Sequence, residues 1–142
     1  MALSELAKRL YSWVPYSYSI AGEPSHLEME WRLLADNFRE EAEKALIEFA
    51  GISERCFIEA LRILHNINGP EAAFGLDLVV KGLDSDNHEA NEVALGCLEQ
   101  WEDYTLIPLI KNRKYDEKWL EEYRMDVLKY LEEALNDRGV GL

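Results

Sequence analysis

The chain holds 142 residues, 48% of them hydrophobic, 11% aromatic and 30% charged, with a formal net charge of −13. That is enough chain to bury a core as one globular domain without disulfides or metal, and the composition excludes a disordered class. The negative charge opposes direct contact with nucleic acid, whose phosphates call for Lys and Arg, and no run nears the roughly 20 apolar residues of a membrane span.

Apolar residues recur at three- and four-residue steps with no sustained period-two alternation, which predicts an all-α fold of six or seven helices. Helix one is expected over Leu3 to Val14, with Leu3, Leu6, Leu10 and Trp13 on one side and Pro15 as its stop. Glu5, Lys8 and Arg9 interrupt its apolar run, so it does not resemble an export signal. Tyr16 to Ser25 reads as a loop marked by Gly22 and Pro24, and Trp13, Tyr16 and Tyr18 as an aromatic cluster closing one end of a core. Ser25 with Glu28 three residues on predicts a capping box opening one helix that runs through Leu27, Trp31, Leu34, Phe38, Ala42, Leu46 and Phe49 to Gly51.

Ser53 caps the next helix, which turns Cys56, Phe57, Ala60, Leu61, Leu64 and Ile67 inward until Asn68-Gly69-Pro70 breaks the chain. A fourth helix is expected from Pro70 through Leu83, and a fifth from Asn87 to Trp101 after the Asp84-Ser85-Asp86 connector. Thr105 to Lys111 contains Pro108 and predicts a turn or two, or a kinked helix. The last helix runs from Asp116 to about Asn136, with Trp119, Leu120, Tyr123, Val127, Leu128, Leu131 and Leu135 on its apolar side. The whole is expected to be one domain: a helix and loop over 1–25, stacked helix pairs over 26–137, and a loose tail holding Gly139 and Gly141. Cys56 and Cys97 lie within apolar helical patterns and read as reduced core filling in a cytoplasmic protein.

A shift of about 34 residues places Ala60-Leu61-Arg62-Ile63-Leu64 on Ala94-Leu95-Gly96-Cys97-Leu98, and a further 33 reaches Val127-Leu128-Lys129-Tyr130-Leu131. Ala72, Ala73 and Leu76 likewise fall opposite Leu106, Ile107 and Ile110. A helix-pair repeat is the simplest cause, because each pair must stack on the next to bury its apolar face. The stretch Gly82 to Leu98, with Asp84 before the helix and the Ala94-Leu95-Gly96-Cys97-Leu98 run within it, resembles the HEAT-like repeat. Tyr123-Arg124 followed by Val127 and Leu131 is similar and keeps that pattern's arginine, whereas Asn91 stands in its place one repeat earlier. The resemblance covers roughly residues 40–135 and implies antiparallel helix pairs stacked as a short α-solenoid that binds proteins.

The charge is not spread evenly. Ile63 to Ile110 holds nine acidic residues and one basic residue, Lys81, while residues 1–62 stand at −4 and residues 111–142 at −1. Within that stretch Glu89, Glu92, Glu99 and Asp103 share one helix face, Asp84 and Asp86 extend it at the start, and Glu102 and Tyr104 lie at its end. A solvated outer face is the plain explanation for any one helix, but such faces normally interleave Lys and Arg with Glu. A single-sign field instead steers a cationic macromolecule. Tyr104 is the aromatic expected to anchor a partner's Arg or Lys, ahead of Trp101 and Trp119, which suit a core. The one basic group, Lys111, Arg113, Lys114 and Lys118, is expected either to pair with the acidic segment or to cap the short helix before it.

Nothing points to an enzyme. His26, His65 and His88 are single and far apart, Pro24 takes the Glu23-Pro24-Ser25-His26 spacing off any regular helix, and no phosphate loop, nucleophile elbow or Cys-x-x-Cys pair occurs. No metal or cofactor is expected. The expected function is a protein-binding module whose acidic face docks or blocks a basic partner, in its sharpest form a cytoplasmic antitoxin or immunity protein against a cationic toxin such as a nuclease. The alternative is a structural adaptor that takes a peptide or subunit in an apolar groove. Salt separates the two, since steered association slows as ionic strength rises and an apolar groove is indifferent to it.

Overall fold

A computed structural model describes residues 3–16 and 24–137. These hold eight α-helices, three short 3₁₀ segments and no strand. The expected contents of residues 17–23, Tyr18 included, and of the tail from 138 on lie outside the described residues. The helices gather into two compact units, one up to Ile63 and one from Leu64 on.

In the first unit α1 (Glu5–Ser12) is two residues shorter at each end than expected. Ser4 is its N-cap and accepts from the Ala7 N–H at 3.1 Å, while its own N–H donates to Glu48 Oε2 at 2.8 Å and ties the start of α1 to α3. Pro15 lies in a 3₁₀ turn, 14–16, that follows the helix. The Ser25 cap is where the sequence places it, accepting from the Glu28 N–H at 3.1 Å.

The single helix expected beyond that cap is two helices, α2 (His26–Asn37) and α3 (Arg39–Ala50), separated by Phe38 at φ −143, ψ 68. No glycine or proline marks the break. Asn37 turns its side-chain amide onto the Leu33 carbonyl at 2.9 Å, satisfying a helix-end acceptor. Across the break, the Trp31 indole N–H donates to the Ala42 carbonyl at 2.8 Å, and the Arg39 guanidinium lies over the Trp31 ring at 5.5 Å. Both helices thus send their apolar stripes, Leu27, Trp31 and Leu34 from one and Ala42, Ala45, Leu46 and Phe49 from the other, into buried positions. The hydrophobic period runs on through the break, which is why periodicity alone does not reveal it. Ser53 caps α4 (Glu54–His65) by accepting from the Cys56 N–H at 3.1 Å.

In the second unit residues Gly69–Gly75 form tight 3₁₀ turns and α5 (Leu76–Asp84) starts only after them, where the sequence predicts an α-helix from Pro70. Gly75 is buried, and a Cβ there would overlap both methyl groups of the buried Leu64, so this segment approaches closer than an ordinary helix face allows. Asn87 caps α6 (His88–Trp101), accepting from the Glu89 and Ala90 N–H groups at 2.8 and 3.2 Å. Beyond Glu102, at φ 51, come a 3₁₀ turn (Tyr104–Leu106) and the one-turn α7 (Pro108–Lys111), with Pro108 at a tolerated first position. Helix α8 (Lys118–Asp137) completes the unit.

Asn91 and Arg124, 33 residues apart, are both buried, and each donates to backbone carbonyls of the element before its own helix. Asn91 donates through Nδ2 to the carbonyls of Gly82 at 2.8 Å, Leu83 at 3.3 Å and Ser85 at 2.9 Å, closing the C-terminal end of α5. Arg124 donates through Nη1 to the Ile110 carbonyl at 2.8 Å, on α7, and through Nε and Nη2 to Glu121 at 2.7 and 2.6 Å. Cys56 and Cys97 are free and buried, as expected.

Candidate docking face

Helix α6 contains no Lys or Arg, and α8 packs along it. The two run in the same direction. At their starts the His88 and Trp119 rings meet edge to face with centroids 6.5 Å apart, and at their far ends the Tyr130 hydroxyl donates to Glu102 at 2.6 Å. Between these points the Tyr123 hydroxyl donates to Glu99 at 3.1 Å. Gly96, in the middle of the acidic face, is buried, and a Cβ there would sit 3.1 Å from His65 Cδ2 and 3.5 Å from the Tyr123 hydroxyl. Part of the acidic stripe thus forms a seam with its neighbour and is not a bare outer face.

The eight acidic and aromatic residues expected to form the site do not share one role. Asp86, Glu89, Glu92 and Glu102 are exposed. Glu99 is half-buried and held by Tyr123. Asp84 is paired with Arg113, whose Nε also donates to the Leu109 carbonyl at 3.3 Å, so both roles foreseen for the basic group fall to this one residue. Asp103 caps the 3₁₀ turn, accepting from the Thr105 N–H at 3.0 Å and from its hydroxyl at 2.5 Å. Tyr104 is half-buried and belongs to that turn. Trp119, expected in the core, is 44% exposed.

Side chains that sequence reasoning did not include complete the face. Tyr123 and Tyr130 are seven residues apart and so share one flank of α8, a spacing visible in the sequence once α6 is known to lie alongside. Tyr130, Glu133, Ala134 and Asp137 of α8 line a concavity of about 210 Å³ together with Glu102. Burial, reinforced by Glu99, pushes the Tyr123 hydroxyl well above the usual phenol range, and the hydrogen bond to Glu102 pushes Tyr130 up. Both tyrosines are accordingly neutral donors that orient a carboxylate and leave its charge intact.

The linker into α8 is fastened differently. The Tyr115 hydroxyl donates to the Leu83 carbonyl at 2.8 Å and burial pushes it up to about 12, while Arg124 holds Glu121 down to about 2. Burial pushes the Cys97 thiol far above its ordinary value, which removes it as a nucleophile. Among the described residues no three His, Cys, Asp or Glu side chains converge to hold a metal ion, and no helix is long and apolar enough to cross a membrane. Comparison with protein-family models, with curated proteins and with solved structures finds no match for this chain.

Proposed function

We propose that this chain is a non-enzymatic protein-binding module built from HEAT-like helix pairs, whose α6–α8 face docks or blocks a basic protein. The observation that carries this reading is the pair Glu99 and Glu102, each held by a tyrosine hydroxyl that fixes the carboxylate without cancelling it. A preoriented carboxylate keeps its field and has little ordering left to lose on binding. The repeat assignment is supported by the common role of Asn91 and Arg124, 33 residues apart. In its sharpest form the module is a cytoplasmic antitoxin or immunity protein, a polyanion mimic that fills the basic cleft of a cationic toxin such as a nuclease. The two buried free thiols fit a reducing compartment.

The test is twofold. A reading frame for a toxin is expected beside this gene, and its purified cationic domain should bind with an on-rate that falls steeply with salt. The double variant Glu92→Lys with Glu99→Lys should keep its helical circular dichroism and associate at least about tenfold more slowly at low salt. An unchanged on-rate removes the acidic face from the function. The adaptor reading draws on a different observation, the exposed Met29, Leu33 and Phe38 around α2 at 42%, 61% and 58% exposure. Salt-independent capture of a partner lost on Leu33→Asp would favour it.

A further inference from the structure

We infer that the seam between α6 and α8 is selective for arginine over lysine, so that the partner docks arginine side chains along it. This rests on the docking reading above and adds the chemistry of the docked group. Three features of the seam favour a guanidinium. First, α8 contributes a row of aromatic rings on the flank turned to α6: Trp119 opposite His88, Tyr123 opposite Glu99 and Tyr130 opposite Glu102. Trp119 and Tyr130 are 44% and 39% exposed, leaving ring surface on which a flat cation can stack.

Second, the tyrosines each engage one carboxylate, and a carboxylate has two oxygens and about four acceptor sites, so Glu99 and Glu102 keep capacity for further donors. A guanidinium presents five N–H donors in a fixed plane and can face a carboxylate and a ring at once, whereas an ammonium is a compact, strongly hydrated point charge. Third, the charge is complementary along the whole seam. Helix α6 has no Lys or Arg, its one imidazole, His88, standing at its start against Trp119, and the flank of α8 at positions 119, 123, 126, 130 and 137 has no basic residue. Of the bases on α8, Arg124 is buried against Glu121 and Ile110, Lys118 precedes the aromatic row, and Lys129 stands one turn before Glu133 at the edge of the flank. The seam ends in the concavity of about 210 Å³, where Glu133 and Asp137 join Glu102 and Tyr130.

The probes are a fluorescent oligoarginine peptide and an oligolysine peptide of the same length, titrated into the intact protein. Oligoarginine is expected to bind about fivefold more tightly. Trp119→Leu, and separately Glu133→Gln with Asp137→Asn, should each remove most of that difference. Oligolysine affinity should be nearly unaffected by Trp119→Leu, and amide and indole NMR shifts on binding oligoarginine should cluster on α6 and α8. Equal affinity for the two peptides, or shifts spread over the acidic surface at large, overturns the arginine-selective seam and leaves general docking of a basic protein standing. Failure of both peptides to bind at low salt overturns both.

Discussion

Both units pair acids with arginine, but among the described contacts the second also holds two glutamates with neutral hydroxyls. In the first, glutamates are met by arginines: Glu30 by Arg9 at 2.6 Å, Glu28 by Arg32 at 2.8 Å, Glu43 by Arg39 at 2.6 Å and Glu59 by Arg55 at 3.4 Å. In the second, Glu99 and Glu102 are met by Tyr123 and Tyr130. An arginine cancels the charge it fixes, while a neutral hydroxyl fixes the carboxylate and leaves its field in place. The same residue type therefore serves local cohesion in one unit and an outward potential in the other, and counting acids does not tell the two apart.

The largest expected effect comes from the place where the second unit borrows the device of the first. Arg124→Ala takes the partner from the quarter-exposed Glu121 and the donor from the Ile110 carbonyl, and should cost about 2 kcal/mol in urea unfolding. A loss under about 1 kcal/mol would mean that the brace is not structural. The same ion pair sets an acid limit. Glu121 is lowered from 4.5 to about 2, so its contribution is complete above pH 4.5 and is lost as pH falls toward 2. The urea midpoint should drop across that window in the parent chain and by clearly less in Glu121→Gln.

Tyr123→Phe removes a half-buried hydrogen bond to a charged group and should cost about 1.5 kcal/mol by thermal unfolding. Lys8→Met breaks the pair with Glu5, in which both side chains are exposed, and it should cost no more than about 0.5 kcal/mol, less still in high salt. Smallest of all, Tyr130→Phe should leave the melting temperature unchanged, and its effect should appear only as slower association of a basic partner. If Tyr130→Phe destabilises as much as Tyr123→Phe, the hydroxyl serves cohesion and the contrast between the units loses its meaning.

Helix existence was legible because amphipathic stripes and caps are local: Ser25 and Ser53 cap where their side chains predict. The break at Phe38 was not legible. Both flanking stripes keep the helical period, and only the Trp31 to Ala42 hydrogen bond across it and the packing of α2 on α3 make two helices better than one. The delay of α5 past Pro70 has a similar origin, in the close approach of Gly75 to Leu64. For the docking face, composition pointed to the stretch Ile63 to Ile110 but not to its outside partners. Tyr123, Tyr130, Glu133 and Asp137 lie 13 to 27 residues beyond that stretch and reach the face only because α8 lies beside α6.

What the sequence determined by itself is the all-α class, most helix ends and the concentration of negative charge, since each depends on residues within a few turns of one another. Only the tertiary structure decided what meets Asp84, Glu99 and Glu102, whereas Glu28, Glu43, Glu59 and Glu121 meet arginines three or four residues away in their own helices. A carboxylate's field depends on whether its neighbour is a cation or a neutral hydroxyl, and for these three the neighbour lies 24 to 29 residues away along the chain. That choice sent Arg113 to Asp84, and Tyr123 and Tyr130 to Glu99 and Glu102.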